Sequence, residues 1–271
     1  MTILTFSIVL FAFSCLAGLL GALTGLGGGV VVIPVLVLLF HVNIHLAMGA
    51  SLISVIATSS GTAAAYLREG YTNLRIGLFL EVAAVIGAFI GALLIPIIST
   101  TLLTCLFSFV LFFSAYLTIR RREEHETYQS SHAWANYLKL NDQSYTVQRV
   151  PAAFCMMGIA GMFSGLLGIG SGTLKVLALD QALRLPYKVA TTTSNFMIGI
   201  TAAVSAGIYF KHGYINPLIC FPVMLGVIAG SFFGATVLSR IETRFLRILF
   251  SIIICLIGLQ MLYNTLIGAT S

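Results

Sequence analysis

GLGGGVVVIPVLVLLF (residues 25–40) and GIGSGTLKVLALDQAL (residues 168–183) decide how this sequence is read. Each is a glycine-rich turn running into a short apolar stretch, and the two lie 143 positions apart. The register extends outward from them. Ser51 falls on Ser194, Thr58 on Thr201, and Gly87 and Gly91 on Gly230 and Gly234. Tyr66, Gly70, Tyr71 and Asn73 fall on Tyr209, Gly213, Tyr214 and Asn216. Over residues 25–94, 17 of 70 positions are identical without a gap. Shared apolar composition would repeat Leu and Val by chance, but it would not hold Gly, Tyr and Asn in register. The chain is two copies of one unit, residues 1–119 and 150–271, joined by a hydrophilic linker at 120–149.

Composition says where these copies sit. Hydrophobic residues make up 59% of the chain and charged residues 8%, whereas a soluble domain carries roughly 25% charge. Most of the outer surface therefore faces lipid, and the net charge of +6 reads as basic loops at a membrane rather than as a nucleic-acid footprint. Apolar segments lie near 3–24, 29–40, 46–66, 75–98 and 101–119, then 150–168, 172–183, 188–209, 217–238 and 243–267. Eight can cross a ~30 Å hydrocarbon core as helices; 29–40 and 172–183 reach only ~18 Å. The opening stretch has no Lys or Arg before a long apolar run, so it reads as a first membrane helix rather than a signal peptide. Trp134 and Tyr137 in the linker suit an interfacial position. The five cysteines sit in apolar runs without metal-ligand spacing, which leaves no metal or cofactor to expect.

Charge sets the orientation. If every segment crosses once, five per copy, the second copy is inverted. Arg68, Arg75, Arg120, Arg121, Arg122, Lys139, Arg149, Arg184, Lys188, Arg240, Arg244 and Arg247 then share one side, with Lys211 alone opposite. If the short segments re-enter on one side, the split falls to 8 against 5. Positive residues gather on the cytoplasmic face, so the expectation is an all-α polytopic protein of two inverted repeats, with a cytoplasmic linker and both termini outside.

Short, glycine-interrupted segments at matching positions of two halves point to a transporter's binding site. Irregular backbone survives in hydrocarbon only when buried in protein or lining a cavity, and the N–H groups that open the next helix favour an anion. The candidate ligand positions are Gly25, Gly27, Gly29 and Ser51 in the first copy, and Gly168, Gly170, Gly172, Lys175, Ser194 and Asn195 in the second. Lys175 is the position where symmetry breaks, since Val32 stands opposite it; an intramembrane lysine binds an anion, snorkels to the interface or pairs with a carboxylate. Glu81, matched by Met224, either carries a coupling proton or caps a wet vestibule. Asp180 and Arg184, four apart, read as a local pair. The hydroxyls and amide at Thr191–Asn195 and Thr201 suit an oxyanion, because they donate hydrogen bonds without adding charge. Gly87/Gly91 and Gly230/Gly234 read instead as close-packing surfaces.

SGLLGIGSGTLKV (164–176) followed by ATTTSNFMIGITA (190–202), with GLGGGVVVIPVL (25–36) as a weaker first-half counterpart, resembles the sulfite exporter TauE/SafE family of membrane permeases. The resemblance covers nearly the whole chain outside 120–149. It implies movement of sulfite, sulfonates or related sulfur-containing anions across the bacterial inner membrane, with the glycines named above and Lys175, Ser194 and Asn195 at the site. Ser171 and Leu177 replace the Gly and Pro that the family more often has. A carrier working by alternating access is the leading expectation. An anion channel is the alternative, and a membrane-embedded enzyme is disfavoured because no nucleophile–base pair or ligand cluster lies within the segments. The expected partners are a small anion and the bilayer, with no nucleic acid; whether the chain forms a homodimer is open.

Overall fold

The computed structural model of the protein describes residues 3–24, 28–68, 72–119, 149–185, 187–238 and 243–267. Gly25, Gly27, Trp134, Tyr137 and nearly all of the linker lie outside the described residues. Helices form the described chain in two runs of five. The first run is α1 (Ile3–Thr24), α2 (Gly29–Pro34), α3 (Ile44–Arg68), α4 (Leu74–Leu94) and α5 (Thr100–Ile119). The second is α6 (Val150–Leu167), α7 (Gly172–Leu177), α8 (Tyr187–Lys211), α9 (Pro217–Leu238) and α10 (Thr243–Leu266). Five apolar stretches are long enough to span a bilayer within the described residues: Leu4–Gly21, Ile44–Thr62, Leu74–Ile97, Val150–Leu167 and Val189–Lys211. The apolar stretches described on α5, α9 and α10 are shorter, whereas the full sequence has eight segments long enough to cross.

The repeated residues recur because they do the same local work twice. Asn73 caps α4, its side-chain oxygen accepting from the N–H of Ile76 at 3.2 Å, and Asn216 accepts from the N–H of Leu218 at 3.0 Å before α9. Each short helix continues as a π turn, Val35–Leu39 after α2 and Ala178–Ala182 after α7. Pro34 sits at the first of these transitions and Leu177 at the second, so the π turn does not depend on proline.

Packing joins the halves to each other. α1 lies against α9 as α6 lies against α4, α3 against α9 as α8 against α4, and α2 against α3 as α7 against α8. The remaining principal contacts, α3 with α8 and α5 with α10, pair equivalent helices. Exchanging the two halves thus returns the same set of contacts.

The matched positions also give the helix directions. Gly161 faces the carbonyl of Ala84, and Gly165 that of Ala88, so α4 and α6 run parallel. Gly226 faces the carbonyl of Phe11 and Gly230 that of Cys15, so α1 and α9 run parallel. The N–H of Asn73 donates to Thr193 Oγ1 at 3.1 Å and Thr201 meets Glu81 two turns on, so α4 and α8 run parallel. Gly49 faces the carbonyl of Tyr214 and Gly61 faces Ser231, which gives α3 the direction of α9. At the centre the order reverses. The Tyr209 hydroxyl lies 3.8 Å from Met48 Sδ, while Ser59 Oγ donates to the carbonyl of Asn195 at 2.6 Å. α3 and α8 are antiparallel.

Small residues set the closest approaches. A Cβ on Gly87 would lie 2.0 Å from the carbonyl of Gly158, on Gly91 2.1 Å from that of Met162, and on Gly230 1.9 Å from that of Cys15. Backbone lies against backbone there, as in small-residue packing of membrane helices, and the packing reading of these glycines holds. The outer face of α4 carries exposed Leu78, Val82, Ile86 and Ile90, the apolar surface a lipid-facing helix needs. Gly161→Ile, which drives a branched side chain into Ala84, should cost ~3 kcal/mol or prevent assembly. Thermal unfolding in detergent checks this against Ile86→Val on the outer face, for which little change is expected.

Candidate functional site

The second glycine turn is built from backbone that few side chains tolerate. Gly168 has φ +66° and Gly170 φ +71°, the left-handed region in which glycine is at home. Ser171 occupies the same region at φ +46°. It is anchored there by its hydroxyl, which donates to the carbonyl of Ala160 at 2.6 Å and ties the turn to α6. The turn closes α6 through the Gly168 N–H to the Ser164 carbonyl at 2.9 Å. In the first half the equivalent Gly28 has φ −63°, so the two turns differ in shape at the position where their sequences differ.

The start of α2 and the second glycine turn meet at the α3–α8 crossing. Ser51 Oγ donates to the carbonyl of Gly168 at 2.7 Å, from one half to the other. A Cβ on Gly29 would lie 2.4 Å from Ser51 Oγ and 2.8 Å from Val55, while a Cβ on Gly170 would lie 2.9 Å from Val55 and 2.6 Å from Ile198. Val55 and Ile198 are equivalent residues of the repeat, so both glycine segments lean on the point where the halves mirror one another. Ser194 Oγ donates to the carbonyl of Gly172 at 3.3 Å, as Ser51 abuts Gly29. Gly29, Ser51, Gly168 and Gly170 are therefore in one place, with Gly172 and Ser194 adjoining it.

Asn195 belongs to a neighbouring space. With Gly21, Thr58, Ser59, Thr62, Val55 and Ile198 it lines a small cavity with about 10 Å³ of room, enough for about one water molecule. Thr58 Oγ1 donates to the carbonyl of Ser54 at 2.5 Å and Thr62 Oγ1 to that of Thr58 at 2.9 Å. These hydroxyls bond back to their own helix.

Lys175 is wholly enclosed, with 0% of its side chain exposed. Its Nζ lies 3.2 Å from Glu81 Oε2 and 3.2 Å from the carbonyl of Met197, and donates to the hydroxyl of Thr201. Thr201 in turn donates to Glu81 Oε1 at 2.5 Å. Glu81, itself buried, thus engages both carboxylate oxygens. Of the three fates open to Lys175 from sequence, the structure has it paired with a carboxylate. Glu81 and Lys175 are 94 residues apart and in different halves, so no spacing signal joins them; two unmatched charges at broken-symmetry positions were the available hint. Asp180 is also buried, on the π turn after α7, and Arg184 follows just beyond with φ +56°.

A second feature escaped the sequence. Tyr214 lies between His45 and His212, with ring centroids 4.9 and 5.9 Å away and near-parallel planes. This stack joins the start of α3 to the end of α8.

The sequence profile described as Sulfite exporter TauE/SafE matches residues 10–261. Among curated proteins, the "Probable membrane transporter protein YdhB" of Bacillus subtilis (strain 168) is 32% identical, covering 84% of this chain and 87% of its own length. "Probable membrane transporter protein YunE" of the same organism is 25% identical over 95% of this chain and 97% of its own. "Probable membrane transporter protein MJ0441" of Methanocaldococcus jannaschii is 26% identical over 91% and 92%. No solved structure matches the chain significantly. The chain belongs to the sulfite exporter TauE/SafE family and is a multi-pass membrane protein.

Removing one member of a buried ion pair leaves the other unpaired, at ~3–5 kcal/mol, whereas replacing both by apolar groups is near neutral. Lys175→Met should therefore lower the unfolding temperature in detergent sharply, and Lys175→Met with Glu81→Met should recover most of the loss. A double variant no more stable than the single one would contradict the pairing.

Proposed function

Starting from a multi-pass protein of the TauE/SafE family, we propose that this chain is a secondary transporter for a small sulfur-containing oxyanion, working by alternating access of two inverted halves. The observation that carries the reading is the meeting of both glycine segments at the α3–α8 crossing, where Ser51 of one half holds the Gly168 carbonyl of the other. Broken helices meeting between two halves are where carriers place their substrate.

Inversion is supported by direction and by charge. α3 is parallel to α9, α9 to α1, and α8 to α4 and α6, while α3 and α8 oppose. α1 and α6 then oppose as well, and α2 and α7 each cross back between parallel neighbours. The basic residues collect on one side under the same arrangement, which puts the linker 120–149 in the cytoplasm and both termini outside the bacterial inner membrane.

The substrate ligands under this reading are Gly25, Gly27, Gly29, Ser51, Gly168, Gly170, Gly172, Ser194 and Asn195, with Lys175 supplying the charge. Open backbone and hydroxyl groups serve an oxyanion well, since each N–H or O–H points at a separate oxygen. Enclosure of Lys175, and a cavity no larger than a water beside Asn195, correspond to a closed state, so a substrate-loaded state has the halves apart. The exchangeable contacts leave a second copy of the chain unnecessary to the site, although a homodimer is compatible with it.

A ligand at ~100 times its dissociation constant adds ~2.7 kcal/mol of stability. Sulfite, thiosulfate, sulfoacetate or taurine should raise the unfolding temperature of the purified protein while chloride does not; equal indifference to all of them would contradict the substrate class. Cysteines placed singly between 125 and 145 should react with impermeant reagent only from the cytoplasmic side, and labelling from outside would reverse the orientation.

A further inference from the structure

We propose that Glu81, Lys175 and Thr201 form an exchange site in which a proton on Glu81 and the anion on Lys175 are taken up together, so that each anion that enters brings one proton. The inference rests on the transporter reading above and gives its coupling.

The internal repeat supplies the control. Thr201 is matched by Thr58, but Lys175 is matched by Val32 and Glu81 by Met224. The same fold is thus built on the other side with two apolar residues and the same threonine. The threonine there simply bonds back to its own helix at Ser54. The architecture does not need the ion pair. An ion pair taken out of water is poor value as a structural element, because its desolvation cancels most of its attraction. A pair that stability does not require, present in only one of two equivalent places inside a membrane, is accounted for by function.

Its location makes it movable by the substrate. Lys175 stands one turn beyond the Gly168–Gly172 segment, on α7, and is held to α8 by the Met197 carbonyl and Thr201. Glu81 comes from α4, in the other half. The bond therefore spans the boundary between halves, beside the turn proposed to face the anion.

Charge conservation then fixes what accompanies the anion. The closed pair is neutral overall. An anion that displaced the Glu81 carboxylate from Lys175 would leave that carboxylate buried and unpaired in low dielectric, the costly outcome. If Glu81 takes a proton from water on the open side as it lets go, the carboxylic acid can remain against Thr201, Lys175 keeps its charge, and the anion replaces the carboxylate as its partner. With a singly charged anion the site is neutral again, one proton and one anion having moved onto the protein together. On release at the other side the proton leaves and the pair re-forms.

On the described elements around the pair, Arg75 lies at the exposed start of α4. The faces of α6 against α4 are Gly158, Gly161 and Gly165. α6 and α5 carry no charged residue between Val150 and Leu167 or between Thr100 and Ile119, and those of α8, Lys188 and Lys211, lie at its ends. Among the described residues the other buried carboxylate is Asp180, on the π turn five residues further along the chain.

The test uses purified full-length protein and the panel of sulfite, thiosulfate, sulfoacetate and taurine. Each anion that stabilises the wild type is washed over the protein while infrared difference spectra are recorded. Binding should raise a protonated carboxylic-acid carbonyl band, and Glu81→Gln should abolish that band while still binding the anion, now with an affinity that no longer falls as pH rises. Glu81→Met with Lys175→Val, which copies the residues at the equivalent place of the repeat, should fold and lose at least tenfold in affinity. A stabilising anion that raises no such band, a band that persists in Glu81→Gln, or unchanged affinity in the copied variant would overturn the exchange site. If no anion in the panel stabilises the wild type, the transporter reading fails and takes this inference with it. The double variant, neutral at both positions, covers the case in which Glu81→Gln alone does not fold.

Discussion

Hydrocarbon offers an interrupted helix nothing to bond to, and the architecture around the α3–α8 crossing answers that constraint. A chain that stops helical winding inside the membrane exposes carbonyls and N–H groups, each costing several kcal/mol if unpaired. Here the turn before α7 is supplied with partners from three directions. Ser51 reaches across from the other half to the Gly168 carbonyl, Ser171 anchors its own backbone to α6, and Ser194 bonds the carbonyl of Gly172. The close-packed glycine and alanine faces of α4 with α6 and of α1 with α9 hold the flanking helices near enough for those hydroxyls to reach. What results is irregular backbone whose carbonyls are satisfied, at the centre of the molecule, by hydroxyl donors from both halves.

The two halves do this unequally, and the inequality is informative. Where Lys175 and Glu81 meet around Thr201, the equivalent positions across the repeat are Val32, Met224 and Thr58, and Thr58 lines a cavity with room for about one water. A duplicated fold begins with identical sites, so positions at which one copy keeps apolar packing and the other keeps a buried ion pair separate architecture from chemistry. Gly29 and Gly172, Ser51 and Ser194, retained in both, serve the shared fold as well as the proposed site. Lys175 and Glu81 are not retained in both.

Much of this could be read in the sequence, for physical reasons that differ by residue. The repeat was legible because Gly, Tyr and Asn tolerate few replacements at a turn, a buried hydroxyl or a cap, and Asn73 and Asn216 do cap α4 and α9. The short segments ran 29–40 and 172–183 by composition, and the helical stretches end at Leu39 and Ala182, because an apolar run is limited by the same groups that end a helix. The packing role of Gly87 and Gly91 was legible from their spacing. The partner of Lys175 was not: pairing between residues 94 apart depends on how helices are placed, and the sequence reading favoured an anion over the interface or a carboxylate. The sharing of Val55 by Gly29 and Gly170 and the His45–Tyr214–His212 stack were hidden for the same reason, since nothing local to any of those residues marks its partner. Gly25 and Gly27, outside the described residues, keep only their sequence argument.

Counterflow is the direct measurement of whether two halves alternate around one site. Proteoliposomes loaded with unlabelled sulfite and diluted into a trace of labelled sulfite should concentrate the label inside transiently, above its equilibrium level, because a carrier returns occupied in both directions. A smooth approach to equilibrium with no overshoot would mean a continuous pore, and no protein-dependent uptake at all would contradict sulfite as cargo; either result would break the central claim.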